Sequence, residues 1–184
     1  VEDIPTAAMM RGIDWTWETF PEYLDTVEQL PKGINYGAYI AHSALRMYVM
    51  GERALTELAT DDDLRRMGDA VEAALLAGAV GFSTPRASTH VTPDGTPVAS
   101  RVGDWRELDY LVGRMAKLNR GVFQLGPDVS NGAAHRQFLT DVKEIAVRHG
   151  RPVMFGTLST RQGVDPMPFA EQLSAIDATV EAGG

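Results

Sequence analysis

Four short apolar runs, each leading towards a longer helical pattern, constrain what this chain can fold into more than any other feature. They are 34–42 (INYGAYIAH), 79–83 (AVGFS), 121–125 (GVFQL) and 152–157 (PVMFGT). Short runs bounded by Gly and Pro suit strands of a parallel sheet covered by helices, which need no polar–apolar alternation.

The helical patterns between them are well marked. Thr60 caps a stretch whose Leu64, Met67, Val71, Ala74 and Leu75 share one face, and Gly78 closes it. Asp104 with Glu107 reads as a capping box ahead of Leu108, Leu111, Val112, Met115 and Leu118. Phe138, Val142, Ile145 and Ala146 form a third stripe, stopped by Gly150 and Pro152. Asp165-Pro166 opens a fourth with Phe169, Leu173, Ile176 and Val180. Ahead of these, Thr19-Phe20-Pro21-Glu22 starts a short helix carrying Leu24, Val27 and Leu30.

The order is one helix, then strand–helix four times, which predicts an α/β fold with a parallel sheet. Four strands cannot close an eight-stranded barrel, which takes about 250 residues. Two architectures remain: a small open α/β domain, or about half of a barrel. The helix ending near Val180 stops where a barrel would begin its next strand, which favours the half-barrel. No linker, low-complexity tract or residue-level repeat divides residues 1–184.

Composition removes several function classes. Seventeen basic against 25 acidic residues leave a formal charge of −8, and the longest basic run is Arg65-Arg66. A duplex-binding surface needs cations for phosphates, so nucleic acid is not an expected partner. No apolar run approaches the ~20 residues of a membrane span. With no Cys the chain has no disulfide, thiolate ligand or cysteine nucleophile, a usage that fits the cytoplasm.

In either architecture chemistry belongs at the C-terminal ends of strands and in the loops that follow. After the first strand stand His42, Ser43 and Arg46; after the second, Ser83, Thr84, Arg86, Ser88, Thr89 and His90, then the turn Thr92-Pro93-Asp94-Gly95. After the third come Gln124 and Asp128, and after the fourth Thr157, Ser159, Thr160 and Arg161. His42 is open to three readings: a buried imidazole bonded to backbone, a substrate contact, or a metal ligand. Arg46, one helical turn on, would bind a substrate carboxylate or pair with a neighbouring acid. Ser83 and Thr84 either bind a ligand or cap a turn, and His90 is either a loop residue or a catalytic one. Trp15, Trp17 and Phe20 either pack the entry helix or wall an acyl pocket.

His135 and His149 fall fourteen residues apart on one helix, about 21 Å, too far to share an ion. No H-x-H, H-E-x-x-H or His-plus-carboxylate cluster occurs, so the chain holds no complete zinc site. Glycine-rich phosphate loops and the G-x-S-x-G elbow are also absent.

Several stretches together resemble the N-acyl-D-amino-acid deacylases, the D-aminoacylase branch of the amidohydrolase superfamily. They are Val1-Glu2-Asp3-Ile4-Pro5, Gly12-Ile13-Asp14-Trp15, the run from Trp17 to Asp25, His42-Ser43-Ala44-Leu45-Arg46, and Tyr48-Val49-Met50-Gly51-Glu52-Arg53. Ala77-Gly78-Ala79-Val80-Gly81-Phe82-Ser83-Thr84 and Gly121-Val122-Phe123-Gln124 complete the set.

The resemblance implies an internal segment of a longer metal-dependent hydrolase. Its partial (β/α)8 TIM barrel would have about four βα units plus an N-terminal helix. The flanking strands and the family's β-sandwich would lie outside. It implies zinc in the intact enzyme and an N-acyl amino acid, a small molecule, as substrate. A metal-bound water would attack the amide carbonyl, and an Asp would pass its proton to the leaving amine. The family's first H-x-H ligands and its late Asp would fall outside this chain. Its middle-strand metal-binding His has no counterpart in Pro152-Val153-Met154-Phe155-Gly156-Thr157-Leu158. Ser83, Thr84, Arg86 and His90 would line the substrate mouth, with His42, Ser43 and Arg46 supporting the floor. The isolated segment is expected to be inactive and to associate through open sheet edges. The rival reading is a non-catalytic α/β binding module.

Overall fold

The computed structural model describes residues 6–156, 158 and 167–184. The four expected parallel strands are present: β1 (Tyr39–Ala41), β2 (Gly81–Pro85), β3 (Val122–Gly126) and β4 (Val153–Phe155). Around them run α1 (Thr6–Gly12), α2 (Phe20–Glu28), α3 (His42–Met50), α4 (Asp61–Ala77), α5 (Ala99–Val102), α6 (Trp105–Leu118), α7 (Gly132–His149) and α8 (Phe169–Glu181). Thr157, Ser159, Thr160 and Arg161, the helix start expected at Asp165-Pro166, and the stretch Val1-Glu2-Asp3-Ile4-Pro5 lie outside the described residues.

Local chemistry explains the helix boundaries. Thr19 and Glu22 form a complete capping box at α2 with Pro21 in the first turn, and Thr60 and Asp63 do the same at α4. Gly78 ends α4 in the left-handed region, φ 113°, which a glycine occupies without steric cost. At α6 the expected box is only half formed. Asp104 accepts from the Glu107 backbone N–H, but the Glu107 side chain turns into the core.

The first strand is shorter than the run at 34–42 predicts. Tyr39–Ala41 alone pair, and His42 already begins α3, so it opens a helix instead of closing a strand. Beyond α3, Gly51–Leu55 add a 3-10 turn before α4.

Strand order is β1-β2-β3-β4, every neighbour parallel. Right-handed crossovers between successive adjacent strands put all connecting helices on the same side of a sheet. This is a partial TIM-barrel arc, since a doubly wound sheet reverses its strand order and carries helices on both faces.

Two rows cross the sheet in register. Ile40, Phe82, Phe123 and Val153 form the helix-side row, and Ile40, Phe82 and Phe123 are buried in one cluster with Met67, Val71, Leu108, Leu111 and Phe138. Phe82 and Phe123 stack with ring centroids 5.8 Å apart. Alternation sends the row between them, Ala41, Ser83, Gln124 and Met154, to the opposite face. That face is bare: Ala41 and Met154 are exposed, Ser83 and Gln124 half-buried.

Gly81 permits the close pairing of β2 with β3, because a Cβ there would stand 1.9 Å from the Val122 carbonyl oxygen.

Candidate functional site

The C-terminal ends of β1 and β2 meet α3 and α6 around a polar cluster in the core. His42 and Arg46 are 0% exposed, and Thr84 and Glu107 2%. His42 Nε2 lies 2.5 Å from Glu107 Oε1, and Nδ1 lies 2.9 Å from Thr84 Oγ1. An ionised carboxylate only accepts, so Nε2 carries the proton and the Thr84 hydroxyl donates to Nδ1. Arg46 donates to Glu107 Oε2 and, through its other terminal nitrogen, to the carbonyls of Ala54 (3.2 Å) and Glu57 (2.6 Å).

The electrostatics follow from that geometry. Burial lowers the His42 pKa below its ordinary value despite the attraction of Glu107, with Arg46 and Arg86 adding to the depression. For Glu107 burial acts upward, but the hydrogen bond from His42 and the Arg46 guanidinium outweigh it and hold the carboxyl below the usual range. The cluster is therefore a neutral imidazole beside an Arg–Glu ion pair. Both imidazole nitrogens are engaged within it.

Ser43 turns aside from this cluster. Its hydroxyl donates to Ser100 Oγ (2.9 Å) and accepts from the Ser100 N–H (3.1 Å), joining α3 to α5. Arg86 donates to the carbonyls of Ser100 (3.0 Å) and Gly103 (2.6 Å), and its guanidinium lies 5.6 Å from the Trp105 ring centroid. It thereby closes the long loop between β2 and α6. His90 sits half-buried in that loop, its backbone N–H on the Ala87 carbonyl and its own carbonyl accepting from Val98 and Arg101. The Pro93-Asp94-Gly95 turn is tied by Asp94 to Thr92 and Thr96.

On the bare face the only polar side chains of the cross-sheet row are Ser83 and Gln124, partners in register on adjacent strands. Neither makes a side-chain hydrogen bond to a described residue. Ala41 and Met154 flank them.

The donor set decides how this face suits zinc. Zinc takes thiolate, imidazole or carboxylate ligands, and Ala41, Ser83, Gln124 and Met154 offer none. No group of three such side chains converges among the described residues. The described residues of this row do not fit the metal.

The aromatic cluster before α2 lines an apolar groove of about 650 Å³ between α2, β1, α3 and α4, at the outer edge of the sheet. Trp17, Phe20 and Tyr23 wall it, with Trp15 against Trp17 (ring centroids 5.4 Å).

Through-space pairing brings together what the chain separates. Two His–carboxylate pairs that no local motif marks form in this way: Glu107 reaches His42, and Asp109 bonds to His149 at 2.9 Å. Glu107 carried a signal, since it stands four residues before Leu111 and eight before Met115, on the buried face of α6. His135 is also buried, and burial lowers its pKa.

No family model matches the chain. An uncharacterised protein of Mycobacterium tuberculosis is 31% identical over 141 residues, which are 71% of this chain and 23% of that protein. The D-aminoacylase of Alcaligenes xylosoxydans xylosoxydans is 35% identical over 80 residues, 44% of this chain and 16% of the enzyme. Among solved structures, the N-acyl-D-glutamate deacylase from Bordetella bronchiseptica, complexed with zinc and a phosphonate inhibitor, has the same fold. Its TM-score is 0.74 at 23% identity, covering 96% of this chain and 35% of that one. A D-aminoacylase structure gives 0.68 at 21% identity over 97% and 35%. The likeness to the D-aminoacylases found in the motifs is thus present in the fold as well. The chain spans about a quarter or less of these curated relatives and about a third of the solved chains.

Proposed function

We propose that residues 1–184 are one continuous arc, without internal boundary, of the catalytic (β/α)8 barrel of a larger amidohydrolase that cleaves the amide bond of N-acyl-D-amino acids or related amides. The observation that carries this reading is the sheet itself. Four parallel strands in sequential order have an apolar row covered by helices and an opposite row left bare. Such a face suits a barrel lumen whose remaining strands come from elsewhere. The D-aminoacylase likeness supports the chemistry assigned to it.

Hydrolysis adds water to the amide carbonyl, breaks the C–N bond and delivers a proton to the leaving amine. The group that activates the water is supplied by polypeptide outside this chain. The zinc that the likeness implies would be held there too, since no group of three suitable side chains converges among the described residues. This arc contributes shape and position. The cluster of His42, Arg46, Thr84 and Glu107 fixes the ends of β1 and β2 beneath the site. Ser43 anchors α5, and Arg86 sets the course of the loop carrying His90 along the substrate mouth. Ser83 faces the substrate.

The partner is a small molecule, and the cysteine-free composition suits a reducing cytoplasm. No helix among the described residues is long and apolar enough to cross a membrane. The outer edges of β1 and β4 favour association when the chain stands alone.

The test is hydrolysis of N-acetyl-D-amino acids by the full-length protein and by the 184-residue chain, side by side. Turnover by the first alone is expected. Turnover by the 184 residues, or none by the full-length protein, would overturn the proposal.

A further inference from the structure

We infer that Arg86 and Arg101, one from each limb of the loop between β2 and α6, form a subsite for the carboxylate of the ligand; this rests on the hydrolase reading above. Arg86 directly follows β2, and its backbone N–H still bonds to the Gly126 carbonyl at the end of β3 (2.8 Å). Arg101 lies in α5. The two side chains cross. Arg86 reaches forward to the carbonyls of Ser100 (3.0 Å) and Gly103 (2.6 Å), while Arg101 reaches back to those of Ser88 (3.0 Å) and His90 (3.3 Å). Both limbs stand past the end of β2. The remaining strands of a barrel pack over the sheet face below them, whereas loops at the C-terminal ends of the strands form the rim where a ligand enters.

Those contacts leave the charge unmatched. Each guanidinium spends one terminal nitrogen, Nη1, on two neutral carbonyls, and its Nε and Nη2 make no hydrogen bond to a described residue. Neither arginine forms an ion pair with a described carboxylate, although the chain carries a net charge of −8 and Arg46, Arg53 and Arg114 all have one. The acids whose fields reach Arg86 are committed elsewhere: Asp128 accepts from the Ser130 N–H, Asp104 caps α6, and Glu107 holds His42 and Arg46. Burial and the repulsion of Arg101 push the Arg86 pKa down, and Arg101 acts more strongly than any one of those acids. A half-buried cation beside a second cation is stabilised by an anion between them.

A carboxylate suits the vacant edges, because the Nε–Nη2 edge of a guanidinium presents two parallel N–H groups to two oxygens. An N-acyl amino acid carries such a group, separate from the amide that is cleaved. Arg46, the other arginine that the sequence offers for this task, is sealed in the core against Glu107 and cannot take it.

The experiment uses the full-length protein with two probes that differ only in the carboxylate, N-acetyl-D-leucine and N-acetyl-D-leucinamide. Turnover is measured by amine release and binding by calorimetry, for wild type, Arg86→Gln and Arg101→Gln. Glutamine keeps an NH₂ for the loop carbonyls and removes the charge. Circular dichroism checks folding, and either variant serves if the other fails to fold. Wild type should prefer the acid, and that preference, the ratio of kcat/KM for acid over amide, should fall about tenfold in each variant. An arginine that merely straps the loop would lower both probes alike. An unchanged ratio in a folded variant would therefore overturn the inference and leave the hydrolase reading intact. So would a wild type that hydrolyses both probes equally well, because a carboxylate of the protein's own would then fill the pair. A wild type that binds the acid more tightly than the amide but hydrolyses neither, and loses that difference in the variants, would keep the subsite and sink the hydrolase reading. A wild type that neither binds nor hydrolyses them would overturn both.

Discussion

His42 donates its Nε2 proton to Glu107 Oε1 across 2.5 Å of the protein core and 65 residues of chain. The other oxygen of the same carboxylate takes Arg46, which shares α3 with His42. One α6 side chain therefore ties down the helix that begins at the end of β1, and the imidazole passes the link on to Thr84 in β2.

Removing the charge from Glu107 should be more costly than removing the imidazole. Glu107→Gln leaves the Arg46 guanidinium buried without a counter-charge, which costs about 3–5 kcal/mol. His42→Asn forfeits hydrogen bonds only, about 1–3 kcal/mol. Urea denaturation of both variants checks the order. Equal losses, or a smaller loss for Glu107→Gln, would show that the ion pair is not what holds α3.

Acid should destabilise the chain above the range in which ordinary carboxylates titrate. The His42 pKa lies below its reference value of 6.5, so the folded state resists a proton that the unfolded chain accepts. Its contribution is complete above about pH 6.5 and declines as pH falls towards the folded value. His135, lowered by burial, acts with the same sign. Both losses grow as the pH falls below about 6.5, where the unfolded imidazoles take up protons that the buried ones refuse. Glu107, also held low, adds a loss that begins only below its reference value of 4.5. Denaturation midpoints measured at half-unit intervals should fall through this window, and His42→Asn should flatten the curve.

Gly81→Ala should damage the sheet although alanine is a small residue. Its methyl would stand 1.9 Å from the Val122 carbonyl oxygen, and backbone on the neighbouring strand cannot swing away as a side chain can. A loss of about 2–3 kcal/mol is expected, at the upper end for overpacking. Hydrogen exchange should show lost protection in β2 and β3 first. Protection equal to wild type would mean that the two strands pair less closely than described.

Zinc should not stabilise the 184-residue chain. Dialysis against micromolar zinc should leave less than stoichiometric metal, and the melting temperature should not rise, because binding only the native state would raise it. One tightly held equivalent per chain would show that this arc holds metal ligands of its own.

The helix stripes were legible because each follows from nearest neighbours along one face. Leu64, Met67, Val71 and Leu75 point inward with their cap at Thr60, as do Leu108, Leu111 and Met115 behind Asp104. Strand limits were less so. The run at 34–42 is apolar enough for a long strand, yet only Tyr39–Ala41 pair in register with β2, which begins at Gly81, and His42 already opens α3. The half-formed box at Asp104 misled for a related reason. Spacing places Glu107 where it could turn back to the cap, but an unseen histidine and arginine on α3 compete for the same carboxylate and win it.

By itself the sequence determined an entry helix, four strand–helix units and hence a parallel sheet, because periodicity, caps and glycines are local properties that act before any long-range contact forms; α1, α3 and α5 were not legible in it. Only the tertiary structure decided which polar residues face one another. It seated Glu107 between His42 and Arg46, and it set Ser83 beside Gln124 on the bare side of the sheet. Those pairings depend on strand register and crossover geometry, and hydrogen bonds between residues forty or more positions apart exist only once the sheet has put them within reach.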